Sequence, residues 1–174
     1  KIYANKAFNV TVVGDSMATG SSIQDGTVAY FAQTFSVKKN GVTIRTQALN
    51  GATSTMIKDI KLSEIGRSYS LYTPYQKKNY NATTHKWEGN DSRSYDRQIK
   101  VLGKITITFN KNKGKFKKGS IKKKTVTTWE KYGKLAKLKK RKGYTFAGWY
   151  TGRTSGYKIT SKDYVFLTKN TTIY

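Results

Sequence analysis

Residues 27–37 read TVAYFAQTFSV, and the reading of this stretch decides the fold class. Val28, Phe31, Ala32 and Phe35 recur at the three- and four-residue spacing of one helix face, and Thr27 stands where an N-cap belongs. Lys38-Lys39-Asn40-Gly41 then closes the predicted helix with basic side chains and a glycine suited to a left-handed cap. Upstream, residues 8–13 (FNVTVV) alternate and are rich in β-branched side chains, which predicts a strand. Downstream, residues 42–49 (VTIRTQAL) predict a second strand, and Met56, Ile57 and Ile60 predict a second helix between Ser54 and Ile65. Strand, helix, strand, helix is the start of a parallel α/β sheet.

Functional loops of such sheets lie at the carboxyl ends of the strands. Gly14-Asp15-Ser16 and Asn50-Gly51-Ala52-Thr53 both fall there. The stretch VTVVGDSMATG (10–20) resembles the nucleophile block of the SGNH (GDSL-type) hydrolases, and NGATS (50–54) resembles their second block. The resemblance implies serine-mediated hydrolysis of an acyl ester, with Ser16 as nucleophile and the Gly51 amide as an oxyanion donor. That chemistry suits a serine at a helix N-terminus, where it is exposed and nearby N–H groups can stabilise a developing oxyanion. The family's third block supplies Gly-x-Asn-Asp; Glu88-Gly89-Asn90-Asp91 is the nearest match and lacks the spacer, so Asn90 is the third oxyanion candidate. The family's Asp-x-x-His is absent, which leaves His85, the single histidine, as the candidate base. The plainer alternatives are that Ser16 caps the helix after the first strand and that His85 is an exposed loop residue.

The chain of 174 residues carries 34 Lys and Arg against 9 Asp and Glu, a net charge of +25. Absence of cysteine excludes disulfides, thiolate zinc sites and cysteine nucleophiles, and one histidine excludes a multi-histidine metal site. No cofactor is implied. No stretch approaches the roughly 18 apolar residues of a membrane-spanning helix. Lys1 opens the chain without a signal-like segment, as in a processed product or a piece of a longer protein.

The charge is unevenly placed. Residues 104–174 hold eighteen lysines and two arginines against two acidic residues, net +18, whereas residues 1–66 and 67–103 carry only +3 and +4. Such asymmetry points to two units in different surroundings. Lysine outnumbers arginine nine to one in the basic unit, which argues against sequence-specific reading of nucleic acid. The partners it suits are cell-wall or host polyanions and glycans, held diffusely. A solvated, solubilising lysine surface is the plainer alternative.

Residues 67–103 show many tyrosines and polar residues without clear periodicity and read as an irregular connection. From Lys104 the pattern becomes all-β. Ile105, Ile107 and Phe109 alternate with threonines, Lys122–Trp129 reads as a second strand, and YKIT (157–160) and NTTIY (170–174) supply short final strands. The segments ITITFNKNKGKF (105–116), YGKL (132–135), RKGYTFAGWYT (141–151) and TKNTTIY (168–174) resemble one copy of the Listeria–Bacteroides repeat, the B-repeat of internalin-type surface proteins. That resemblance implies a small β-grasp-like module without catalytic residues, in a secreted or surface protein, here of Gram-positive character. Trp149 and Tyr144 read as core residues in preference to a ligand-stacking platform.

The sequence thus predicts a two-unit α+β chain. An SGNH-like α/β segment (1–66) is followed by a connection (67–103) and an all-β, β-grasp-like repeat (104–174). Three functions remain open: a surface esterase joined to a repeat spacer, a non-catalytic surface adhesin or spacer, and a basic polyanion-binding protein.

Overall fold

A computed structural model describes residues 1–174. It contains thirteen β-strands and no helix, which overturns the α+β class and the parallel α/β N-terminal unit. In chain order the strands of the first part are β1 (Ile2–Tyr3), β2 (Phe8–Val13), β3 (Val28–Ala32), β4 (Thr34–Lys39), β5 (Val42–Ala48), β6 (Ser54–Ile60), β7 (Ser68–Asn81) and β8 (Lys86–Leu102). The remainder are β9 (Lys104–Phe109), β10 (Lys123–Thr127), β11 (Trp149–Tyr150), β12 (Lys158–Ile159) and β13 (Thr171–Ile173).

The stretch predicted as a helix is two strands, β3 and β4, separated at Gln33. In β3 the burial alternates with period two: Ala29 and Phe31 are buried, while Val28 and Tyr30 face solvent. Both strands run antiparallel along β7, with Ala32 opposite Tyr75 and Ser36 opposite Tyr72. The break falls beside Pro74, which has no N–H to give a neighbouring strand. There the Pro74 carbonyl instead accepts the Gln33 amide at 3.1 Å. Lys38-Lys39-Asn40-Gly41 is likewise not a helix cap. Asn40 (φ 50°) and Gly41 (φ 79°) form the two-residue turn of the β4–β5 hairpin, for which Asn-Gly is the favoured pair.

The second predicted helix is β6, paired antiparallel with β2 so that Val10 faces Ile57, with an irregularity between Phe8 and Val10. Residues 67–103 are not an irregular connection. Strands β7 and β8 form a long antiparallel hairpin from Ser68↔Lys100 to Asn81↔Lys86, the centre of a sheet ordered β1-β8-β7-β4-β5 with β3 also on β7. Between Glu88 and Gln98 the strand β8 is exposed throughout, so neither face is marked by apolar residues and its period is hidden in the sequence.

Strand β9 is central to a separate three-stranded sheet, with β10 antiparallel on one side and β13 parallel on the other. No helix lies across this sheet. The alternation is as read: Ile105, Ile107 and Phe109 are buried, and the intervening threonines are half-buried. Two apolar cores result, and they share no residue. One gathers Val12, Phe35, Ile57, Ile60, Tyr69 and Val101; the other gathers Ile105, Ile107, Val126, Trp149, Val165 and Ile173.

The two parts meet at Gly103 and Thr128. Thr128 is fully buried, its amide donates to the Gly103 carbonyl at 2.9 Å, and its hydroxyl donates to the same oxygen at 3.2 Å. Around this joint Lys1 pairs with Glu130 at 2.6 Å, and the Lys100 ammonium sits 4.0 Å above the Trp129 ring. The hydrogen bond from Lys1 holds the Glu130 carboxyl below the usual carboxylate range.

Candidate functional site

Ser16 lies in the loop after β2, not at a helix terminus. Its neighbours are fixed by backbone bonds: the Gly14 amide donates to the Thr53 carbonyl at 3.0 Å, and the Asp15 carboxylate accepts the Tyr30 amide at 2.7 Å. The Ser16 hydroxyl is exposed and accepts the Ala18 amide at 3.1 Å, a local turn bond. Gly51 is close to this loop. A Cβ placed on it would meet the Met17 sulfur at 2.7 Å, and its φ of +74° is the left-handed conformation glycine tolerates. Its amide, however, already donates to the Ala32 carbonyl at 2.8 Å, so it does not stand free for an oxyanion.

His85 sits at positive φ (53°) in the β7–β8 turn, with Nδ1 at 3.3 Å from the Tyr80 hydroxyl and no hydrogen bond to Ser16. Asn90 is exposed on β8, within the slip in the β7–β8 register between Glu88, opposite Asn79, and Asp91, opposite Lys77. The structure therefore brings the Ser16 loop and Gly51 into one neighbourhood, with no hydrogen bond from His85 or Asn90 to Ser16.

The loop has a structural anchor instead. The fully buried Tyr80 accepts the Gly20 amide at 2.9 Å, and the Trp87 indole donates to the Ala18 carbonyl at 3.0 Å. Trp87 packs edge-on to both Phe31 (5.3 Å) and Tyr80 (5.1 Å), so the Ser16 loop is strapped across an aromatic cluster.

A larger concavity lies in the C-terminal part, a cleft of about 1150 Å³ between the 110–114 turn, the 138–150 stretch, the 152–156 loop and the terminal Tyr174. Its lining includes Lys111, Lys139, Lys140, Arg141, Lys142 and Arg153, and no acidic residue. The scaffold beneath is Trp149. It is 3% exposed, donates its indole N–H to the Ala136 carbonyl at 2.9 Å, and meets Phe109 and Phe146 edge-on at 4.9 and 5.5 Å. Trp149 is a core residue as read. Tyr144 is not: it is 65% exposed, with the Arg141 guanidinium 3.8 Å from the centre of its ring.

Lysine in this part is also used structurally. The Lys124 ammonium, half-buried, donates to the Tyr132 carbonyl at 2.5 Å and the Lys134 carbonyl at 3.0 Å, and burial pushes its pKa down. It therefore belongs to the fold and not to the free surface charge.

Residues 106–174 match the family model of the Listeria-Bacteroides repeat domain. No curated protein and no solved structure matches the chain. The repeat takes in all of β10 to β13, most of β9, all of the second core except Ile105, and the cleft. Nothing in the first part carries the SGNH likeness further, since the strand before Ser16 pairs antiparallel with β6 and no helix follows Ser16. The sequence singled out the lysine runs but missed Arg153 and Tyr174 as their neighbours in space. Position in the chain held the available clue, because the repeat's two arginines flank its aromatic segment GYTFAGWY (143–150).

Proposed function

We propose that this chain is a non-catalytic part of a bacterial cell-surface protein, in which the all-β first unit and the Listeria-Bacteroides repeat form a spacer or adhesive segment. The observation that carries this reading is the repeat match over residues 106–174, a domain of surface-associated bacterial proteins. Two separate cores, bridged by the buried Thr128–Gly103 contact, support a segment built to hold its parts at fixed spacing. The chemistry of the Ser16 loop agrees: the Gly51 amide is engaged by Ala32, and the Ser16 hydroxyl has no imidazole partner. Hydrolysis of p-nitrophenyl acetate by the intact chain and by Ser16→Ala tests the non-catalytic part. Both should match the buffer rate; turnover that disappears in Ser16→Ala would overturn it.

A second reading concerns partners. The net +18 of residues 104–174 favours weak retention of cell-wall or host polyanions. Exposed ammonium groups are screened over about 10 Å at 0.1 M salt, so that retention on an anionic matrix should fall away at moderate ionic strength. Loss of retention well below about 1 M salt is the expected result. Retention persisting at that strength contradicts diffuse binding.

A further inference from the structure

We infer that the cleft formed by the 110–114 turn, the 138–150 stretch and the 152–156 loop is a binding site for a carboxylate- or sulfate-bearing glycan chain, gripped by Arg141 and Arg153. The inference deepens the polyanion reading and rests on it. Lysine is spread over the whole repeat, but both of its arginines line this cleft. Arginine presents a planar fork that matches a carboxylate or sulfate with two parallel hydrogen bonds, which lysine cannot do. Both guanidinium groups are exposed, and neither takes part in an ion pair.

The repeat's two acidic residues are occupied elsewhere. Glu130 pairs with Lys1 at 2.6 Å, and Asp163 accepts the Thr160 amide at 2.7 Å. Six basic side chains thus face one open cleft that no acidic side chain lines.

Size and lining narrow the ligand. At about 1150 Å³ the cleft exceeds the roughly 300–1,000 Å³ usual for one small molecule, as a segment of a polymer requires. Single-stranded nucleic acid is held on open aromatic faces. Here Arg141 lies over the Tyr144 ring and Trp149 is buried, so such platforms are scarce. Tyr150 and Tyr174 are half-buried, which leaves Phe146, 55% exposed, as the open apolar ring in a lining that also holds Asn112, Thr145, Thr154 and Ser155. An apolar patch among hydroxyl and amide groups suits the C–H face and hydroxyls of a sugar ring better than a run of bases.

The test is calorimetric titration of a heparin-derived hexasaccharide into the intact chain at 0.1 M salt. Two double variants are compared, each checked for an unchanged circular dichroism spectrum. Arg141→Lys with Arg153→Lys keeps the charge and removes the fork. Lys162→Ala with Lys169→Ala removes two charges at exposed positions outside the cleft. The arginine pair should weaken binding about five-fold or more, and the lysine pair by less than about two-fold. An unchanged affinity in the arginine pair, or an equal loss in both, overturns the cleft while leaving diffuse polyanion binding in place. Tighter binding of a single-stranded oligonucleotide of equal charge overturns the glycan class. No binding of hexasaccharide by the unaltered chain removes the polyanion reading and this inference together.

Discussion

Replacing Ile107 by alanine should unlock one core and spare the other. Ile107 is fully buried at the middle of β9, opposite Lys124 of β10 and Thr171 of β13. Truncating a buried isoleucine to alanine costs roughly 2–5 kcal/mol through lost transfer energy and the cavity left behind. The upper part of that range needs a rigid surround, and strands on both sides of β9 limit collapse into the gap. Taking about 3 kcal/mol, the opening equilibrium of the repeat rises about 150-fold. Native-state hydrogen exchange reads this directly. The reporters in the repeat are the amides of Phe109, Tyr150 and Val165, bonded to the carbonyls of Lys122, Tyr174 and Glu130 at 2.9, 2.7 and 2.8 Å. Those of Leu49 and Tyr80, bonded to Gln33 and Thr27, report on the first part. Protection should fall about 150-fold in the first set and by less than about three-fold in the second. Equal losses in both sets would show one cooperative core and refute the reasoning.

Two further perturbations probe the Ser16 loop and the surface charges. Gly51→Ala should lower Tm more than Gly41→Ala. Both glycines have positive φ (74° and 79°), but only the Gly51 Cβ would strike Met17. The left-handed backbone alone costs about 1–2 kcal/mol, roughly 2–8 °C in Tm. Equal falls in calorimetry would mean that Met17 does not pack on Gly51. Glu64 gives the pH-dependent case. The hydrogen bond from Lys39 lowers its pKa, and Arg67, with Nε at 3.4 Å, adds to the effect. A lowered carboxyl pKa stabilises the fold above the ordinary carboxylate range, and that contribution is lost as pH falls through the folded value. In Lys39→Ala the Glu64 titration followed by NMR should move up toward the ordinary range, though not fully because Arg67 remains. An unmoved titration contradicts the pair.

Legibility in the sequence followed burial. Where one face of a strand is buried and the other is not, the alternation was readable: Ile105, Ile107 and Phe109 gave β9 correctly. Where two short strands abut, their apolar residues fell by coincidence on a helical spacing. Val28 and Phe31 are three apart, yet Val28 is 45% exposed and Phe31 is fully buried, which one helix face would not produce. Asn40-Gly41 was ambiguous for a related reason, because positive φ serves a helix cap and a hairpin turn alike. The β7–β8 hairpin was hidden because much of β8 is exposed on both faces. The loop holding Ser16 and the turn at Gly51 do come together, through Met17, but at the end of an antiparallel β2–β6 pair and not at the carboxyl ends of parallel strands. Chemistry did not follow from proximity: Gly51 spends its amide on Ala32. The cleft was half legible, through the lysine runs, but its closure by Arg153 and Tyr174 depends on pairing between β11, β12 and the chain end. Tyr150 and Tyr174 exchange two backbone hydrogen bonds there, at 2.7 and 2.9 Å.

The central claim is that this chain works outside the cell, as a displayed segment carrying a Listeria-Bacteroides repeat. Brief trypsin treatment of intact producing cells, followed by mass spectrometry of the released peptides, tests it most directly. The account predicts early release of peptides cut in the exposed lysine-rich stretches 111–118 and 139–142, while a cytoplasmic marker stays intact. Peptides from this chain appearing only after cell lysis would contradict it.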